Sequence, residues 1–132
     1  MSKPILCLDF DGVIHGYDSG WKGADVIPDP IVPGTVRFIT DASKVFTVAI
    51  FSSRSNQPMG IEAMQFYLKL NFYREMDAGD ADPILAAIKW PKEKPPALIT
   101  IDDRALTFTG SWADYTTDKL LAFKPWNKQV PA

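Results

Sequence analysis

The chain has 132 residues, the length of one domain, with no room for a separate cap or regulatory module. A net charge of -2 gives no electrostatic reason for a long nucleic-acid footprint or an anionic membrane partner, although a nucleic-acid end stays open. One cysteine, Cys7, and one histidine, His15, exclude an internal disulfide and a structural zinc site built from cysteines and histidines.

The first strand-like stretch is apolar for only four residues before a carboxylate, too short for a secretory leader or a membrane span. An unprocessed, cytoplasmic protein in a reducing compartment is expected. Ile5 to Leu8 is a short apolar run that ends in Asp9-Phe10-Asp11-Gly12 and reads as a buried strand with a polar end. Over residues 13–27, two semi-apolar arms joined by Asp18-Ser19-Gly20 predict a β-hairpin flap. Pro33 opens a predicted helix carrying Val32, Val36 and Ile39 on one face.

Val45 to Phe51 predicts a second buried strand, stopped by Ser52-Ser53-Arg54-Ser55-Asn56, and Ile61, Met64 and Leu68 mark a second helix beginning near Pro58. Asp82-Pro83 reads as the cap and first position of a third helix from Ile84 to Trp90, with Asp77 and Asp80 in a solvated loop before it. Leu98 to Ile101 predicts a third strand ending on Asp102-Asp103. Ala105 to Thr109 is strand-like, Ser111 caps a last helix running to about Leu121, and Phe123 and Trp126 are expected to cover the core. Apolar strands alternating with helices predict an α/β fold: a Rossmann-like, doubly wound, mostly parallel sheet covered on both faces, one domain over residues 1–132.

In such sheets ligands bind outside the carboxyl ends of the strands, and three polar clusters fall there. Asp9 and Asp11 lie two apart on an extended segment, so their carboxylates project to one side, where like charges need a cation or a shared proton. Asp102 and Asp103 add carboxylates beside them, and an oxygen-only ligand set suits Mg²⁺. Thirteen Asp against three Glu fits carboxylates working at strand ends rather than on helices. Ser52 and Ser53 offer a hydroxyl and N–H groups to a phosphate oxygen, and Arg54 is either a bidentate phosphate contact or a solvated arginine. Of Lys89, Lys92 and Lys94, the last is best placed to lean over the third strand's end. Trp21 is a base-stacking platform or a packing residue of the flap; His15 contacts substrate from the flap or is a satisfied histidine.

This order of motifs resembles the haloacid dehalogenase-like phosphohydrolase superfamily: Asp9-Phe10-Asp11-Gly12-Val13, Ser52 after Val48-Ala49-Ile50-Phe51, Lys94-Pro95, and Ile101-Asp102-Asp103. The resemblance implies a Mg²⁺-dependent phosphomonoesterase. Asp9 is then the nucleophile and Asp11 the general acid and base. Asp9, the backbone carbonyl of Asp11, Asp102 and Asp103 would hold the metal, Ser52 a phosphoryl oxygen, and Lys94 the charge of the nucleophile. Roughly forty residues between the first two motifs, and again between the second and third, leave no space for a large cap, so an open site for a phosphorylated small molecule or a nucleic-acid end is expected. Ser52-Ser53-Arg54 and Asp102-Asp103-Arg104 are similar to the phosphatase half of phage-type polynucleotide kinases, which remove 3′-phosphates; there Arg54 would contact phosphate and Trp21 a base. The competing classes are a receiver-like phosphoacceptor domain, disfavoured by the motif order, and a non-catalytic relative that binds a phosphorylated ligand.

Overall fold

The computed structural model describes residues 3–128. Three short parallel strands form an open sheet in the order β2-β1-β3: β1 Ile5–Leu8, β2 Thr47–Ile50 and β3 Ile99–Ile101. Leu8 stands opposite Ile50 on one side and Ile101 on the other, so all three strands run out at one edge. The central strand reads as an unbroken apolar run because both its faces are covered; Leu6, Cys7 and Leu8 are buried.

Four α-helices accompany the sheet: α1 Thr35–Ala42, α2 Gly60–Glu75, α3 Ala78–Ala87 and α4 Thr117–Leu121. Helix α1 buries Val36 and Ile39 as its spacing predicts, while α2 buries Met64, Leu68 and Phe72 at four-residue intervals. These side chains join Phe10, Ile14, Val48 and Ile50 in one core. Among the described residues no helix is long and apolar enough to cross a membrane.

Several elements depart from expectation. Residues 13–27 form no hairpin. The turn exists, with Gly20 N–H donating to the Tyr17 carbonyl, but the arms do not pair. Carbonyls of Gly23, Ala24 and Val26, which a second arm would offer to its partner, instead accept from the Arg54 guanidinium. Helix α3 begins earlier than predicted and contains Pro83, so Asp80 and Asp82 are helical rather than loop and cap, and Asp77 takes the cap position. Pro83 is the sixth residue of this helix and lacks the N–H that would donate to the Gly79 carbonyl. The sheet is not covered on both faces at its far edge, since β3 has one neighbour and all three of its residues are exposed. Its opposite edge is extended by Lys89, whose N–H donates to the Val48 carbonyl.

Ala105 to Thr109 is not a strand, because the Tyr115 hydroxyl donates to the Thr107 carbonyl and accepts from Thr109 N–H. Ser111 caps only the one-turn 3₁₀ helix Trp112–Asp114, and Thr116 starts α4. Phe123 and Trp126 do not cover the core. Trp126 is 55% exposed, and the tail lies over the loop after β1: Trp126 Nε1–H donates to the Gly12 carbonyl and Asn127 Nδ2–H to the Gly16 carbonyl.

Candidate functional site

The parallel pairing of β1 and β3 decides where the carboxylates meet. Asp9 N–H donates to the Ile101 carbonyl at 3.0 Å, so the ladder continues to the last residue before each acidic motif. One ligand oxygen from each of Asp9, Asp102 and Asp103 lies within 4.8 Å of the others. Asp9 Oδ1 accepts from Phe10 N–H, Asp102 Oδ1 accepts from Arg104 N–H, and Arg104 Nε stands 3.8 Å from Asp103 Oδ2. Burial and then the charges of Asp102 and Asp103 push the Asp9 carboxyl up to about 8, against the pull of Phe10 N–H. Asp103 is also raised, by burial first. Three acids in one hollow have the donor chemistry of a hard divalent cation.

Asp11 has a different environment. Its carboxylate does not join that cluster, contrary to the expectation that the Asp9 and Asp11 carboxylates together face one cation; its backbone carbonyl accepts no hydrogen bond among the described residues. Arg54 Nε donates to Asp11 Oδ2 at 2.9 Å and Arg54 Nη2 to Oδ1 at 3.0 Å. His15 lies on the other side of Asp11. Its Nε2 accepts from Asp29 N–H at 3.0 Å, which puts the ring proton on Nδ1 and lets it donate to Asp11 Oδ1 at 2.9 Å. Burial pushes the Asp11 carboxyl up, yet the hydrogen bonds from His15 and Arg54 outweigh it and hold it below the usual carboxylate range.

Arg54 is the main correction to the site. It is neither solvated nor presented to a phosphate: it is fully buried. Its fork grips Asp11, the flap carbonyls of Gly23, Ala24 and Val26 accept from Nη1, and the Trp21 ring lies 4.8 Å from its guanidinium carbon. Gly60 permits this, because a Cβ there would lie 1.9 Å from the Arg54 carbonyl oxygen. Trp21 therefore packs the flap onto Arg54 with one face and stays 44% exposed.

Ser52 lies two residues beyond β2, extended and buried, and caps the 3₁₀ turn Ser53–Asn56; its Oγ accepts from Arg54 N–H, and its hydroxyl proton has no acceptor among the described residues. Ser53 is exposed. Lys94 is exposed and makes no ion pair with Asp9 or Asp103 among the described residues, although its charge reaches the nearby Cys7 thiol. Of the other two lysines, Lys92 is exposed and Lys89 is tied by its backbone into the sheet.

A hollow of about 230 Å³ opens beside the cluster, lined by Gly12, Val13, Val32, Ile101, Asp102 and Asp103 and roofed by Trp126. Sequence reasoning missed Asp29 and Trp126, whose partners His15 and Gly12 lie far from them along the chain. Comparison with protein-family models, with curated proteins and with solved structures finds no match to this chain.

Proposed function

We propose that this chain is a Mg²⁺-dependent phosphomonoesterase of the haloacid dehalogenase-like type, working through an aspartyl phosphate on Asp9. The observation that carries the reading is the convergence of Asp9 with Asp102 and Asp103 at the ends of two adjacent parallel strands. The strand order, which reverses direction at β1, supports a Rossmann-like, doubly wound arrangement with its ligand site at that switch point.

Asp9, Asp102, Asp103 and the Asp11 carbonyl would hold the ion, which when bound neutralises phosphoryl oxygens and keeps Asp9 ionised. Asp9 attacks phosphorus, and the bond from phosphorus to the ester oxygen breaks. Asp11 passes a proton to that leaving oxygen, later takes one from the water that attacks the aspartyl phosphate, and Asp9 is released with inorganic phosphate. The free Ser52 hydroxyl proton is a donor to a phosphoryl oxygen, and the exposed Lys94 would offset charge on the nucleophile and the phosphoryl group. Arg54 and His15 favour the carboxylate form of Asp11, which suits the base step and makes the acid step the harder one. Aryl phosphates, whose leaving oxygen needs least protonation, are thus expected to react fastest.

Among the described residues no cap closes the site, and both phosphorylated small molecules and nucleic-acid ends belong to the substrate class. Phosphate release with Mg²⁺ across aryl, sugar, 5′- and 3′-nucleotide and 3′-phosphorylated oligonucleotide substrates tests this. Asp102→Asn and Asp103→Asn should each raise the Mg²⁺ requirement; an unchanged metal dependence in both would remove them from the site.

A further inference from the structure

Tyr17 sits in the flap with φ 64, the left-handed region, which a bulky aromatic residue adopts at an energetic cost. Such backbone persists only where the surroundings over-determine it, and it concentrates at sites of function. The surroundings here are the ring of His15, against which the Tyr17 ring packs edge-on at 5.8 Å between centroids. His15 is the residue that holds Asp11, so the strained turn brings Tyr17 to the Asp11 side of the acid cluster.

The hydroxyl is the telling group. The chain has four tyrosines. Tyr67 donates to the Asp29 carbonyl, Tyr73 to Asp82 and Tyr115 to the Thr107 carbonyl. Among the described residues Tyr17 alone has no hydrogen-bond partner for its hydroxyl, although it is half-buried. Burial first, and then the charges of Asp11 and Asp103, raise its phenol, so it is a neutral donor within the field of both carboxylates. Asp11, by contrast, already accepts at both oxygens from Arg54 and His15. A leaving oxygen arriving at Asp11 meets a carboxyl already held by Arg54 and His15, with the Tyr17 ring packed against that same His15.

We propose that the Tyr17 hydroxyl donates a hydrogen bond to the ester oxygen of the substrate and stabilises the charge growing on it as the bond to phosphorus breaks. The inference rests on the phosphatase reading. It makes Tyr17 a catalytic residue whose contribution is largest for phosphate esters of alcohols, whose leaving oxygen gains most from a donor.

The test compares wild type, Tyr17→Phe and Asp9→Asn with Mg²⁺ on an aryl phosphate and on a sugar phosphate. Tyr17→Phe keeps the ring and the backbone and removes only the donor. Its kcat/KM on the sugar phosphate should fall by about tenfold or more, the value of one lost hydrogen bond, with less than about threefold lost on the aryl ester. Thermal stability and the affinity for inorganic phosphate should not change. Wild-type rates in Tyr17→Phe, alongside an inactive Asp9→Asn, would overturn this inference and leave the phosphatase reading standing. Equal losses on both esters together with weaker phosphate binding would also overturn it, since the contact would then lie on the phosphoryl oxygens. No turnover by wild type on either ester would remove the phosphatase reading and this inference with it.

Discussion

The Asp103 carboxylate occupies the space into which a side chain at position 12 would project: a Cβ built on Gly12 lies 2.1 Å from Asp103 Oδ2. Gly12 also has φ 82, so any other residue would meet both a strained backbone and a displaced Asp103 carboxylate. Its carbonyl meanwhile accepts from Trp126, which ties the tail to the same turn.

Gly12→Ala should therefore damage the metal site more than the fold. The expected outcome is a Mg²⁺ requirement raised by about tenfold or more with a loss of only about 1–3 kcal/mol in stability. Isothermal titration of Mg²⁺ and a thermal melt measure the two effects separately; wild-type Mg²⁺ affinity in a folded Gly12→Ala protein contradicts the geometry.

Arg54 gives a second prediction, since it is fully buried and bonds Asp11 and three flap carbonyls. Arg54→Ala leaves a half-buried carboxylate without its main partner and should cost about 3–5 kcal/mol. Arg54→Lys keeps the charge and loses the fork, so it should fall between the two. An arginine that served only to bind substrate phosphate would leave the melting temperature of both variants at the wild-type value.

The same residue shows where sequence reasoning stops. Ser52-Ser53-Arg54-Ser55-Asn56 has the polar look of an exposed loop, and nothing in it says that Arg54 folds under the flap to reach Asp11, 43 residues away. The flap failed for a related reason: the turn signal at Asp18-Ser19-Gly20 is real, but the carbonyls of the second arm are claimed by a side chain from another part of the chain. Local signals carried β1, α1 and α2 well, because continuous apolar runs and four-residue spacing report burial directly. They also carried Asp9, Asp102 and Asp103, because carboxylates that end parallel strands are brought together by the sheet itself. They did not carry the clasp of Trp126 on Gly12, a contact across 114 residues that leaves no periodic trace.

The raised Asp9 carboxyl makes stability depend on pH and metal. Its pKa is about 8 in the folded metal-free protein against an ordinary value of 3.8, so its contribution is fully present below about 4 and is lost as pH rises through 8. The metal-free wild type should melt lower at pH 8.5 than at pH 6, by about 5 °C or more. Mg²⁺ should restore most of that difference, and Asp9→Asn should flatten the slope without metal. Asp11 works in the opposite sense: its lowered pKa adds stability above the ordinary 3.8 that disappears as acid carries the pH below it. A metal-free wild type with no fall in melting temperature between pH 6 and 8.5 would show that burial and the neighbouring Asp102 and Asp103 do not raise the Asp9 carboxyl.

The central claim is that Asp9 forms the bond to phosphorus, and its most direct test is phosphate release with Mg²⁺ by wild type and by the nearly isosteric Asp9→Asn. The account predicts multiple turnover on an aryl phosphate by wild type, loss of at least about a thousandfold in the variant, and an unchanged fold by circular dichroism. Turnover at the wild-type rate in Asp9→Asn would contradict it.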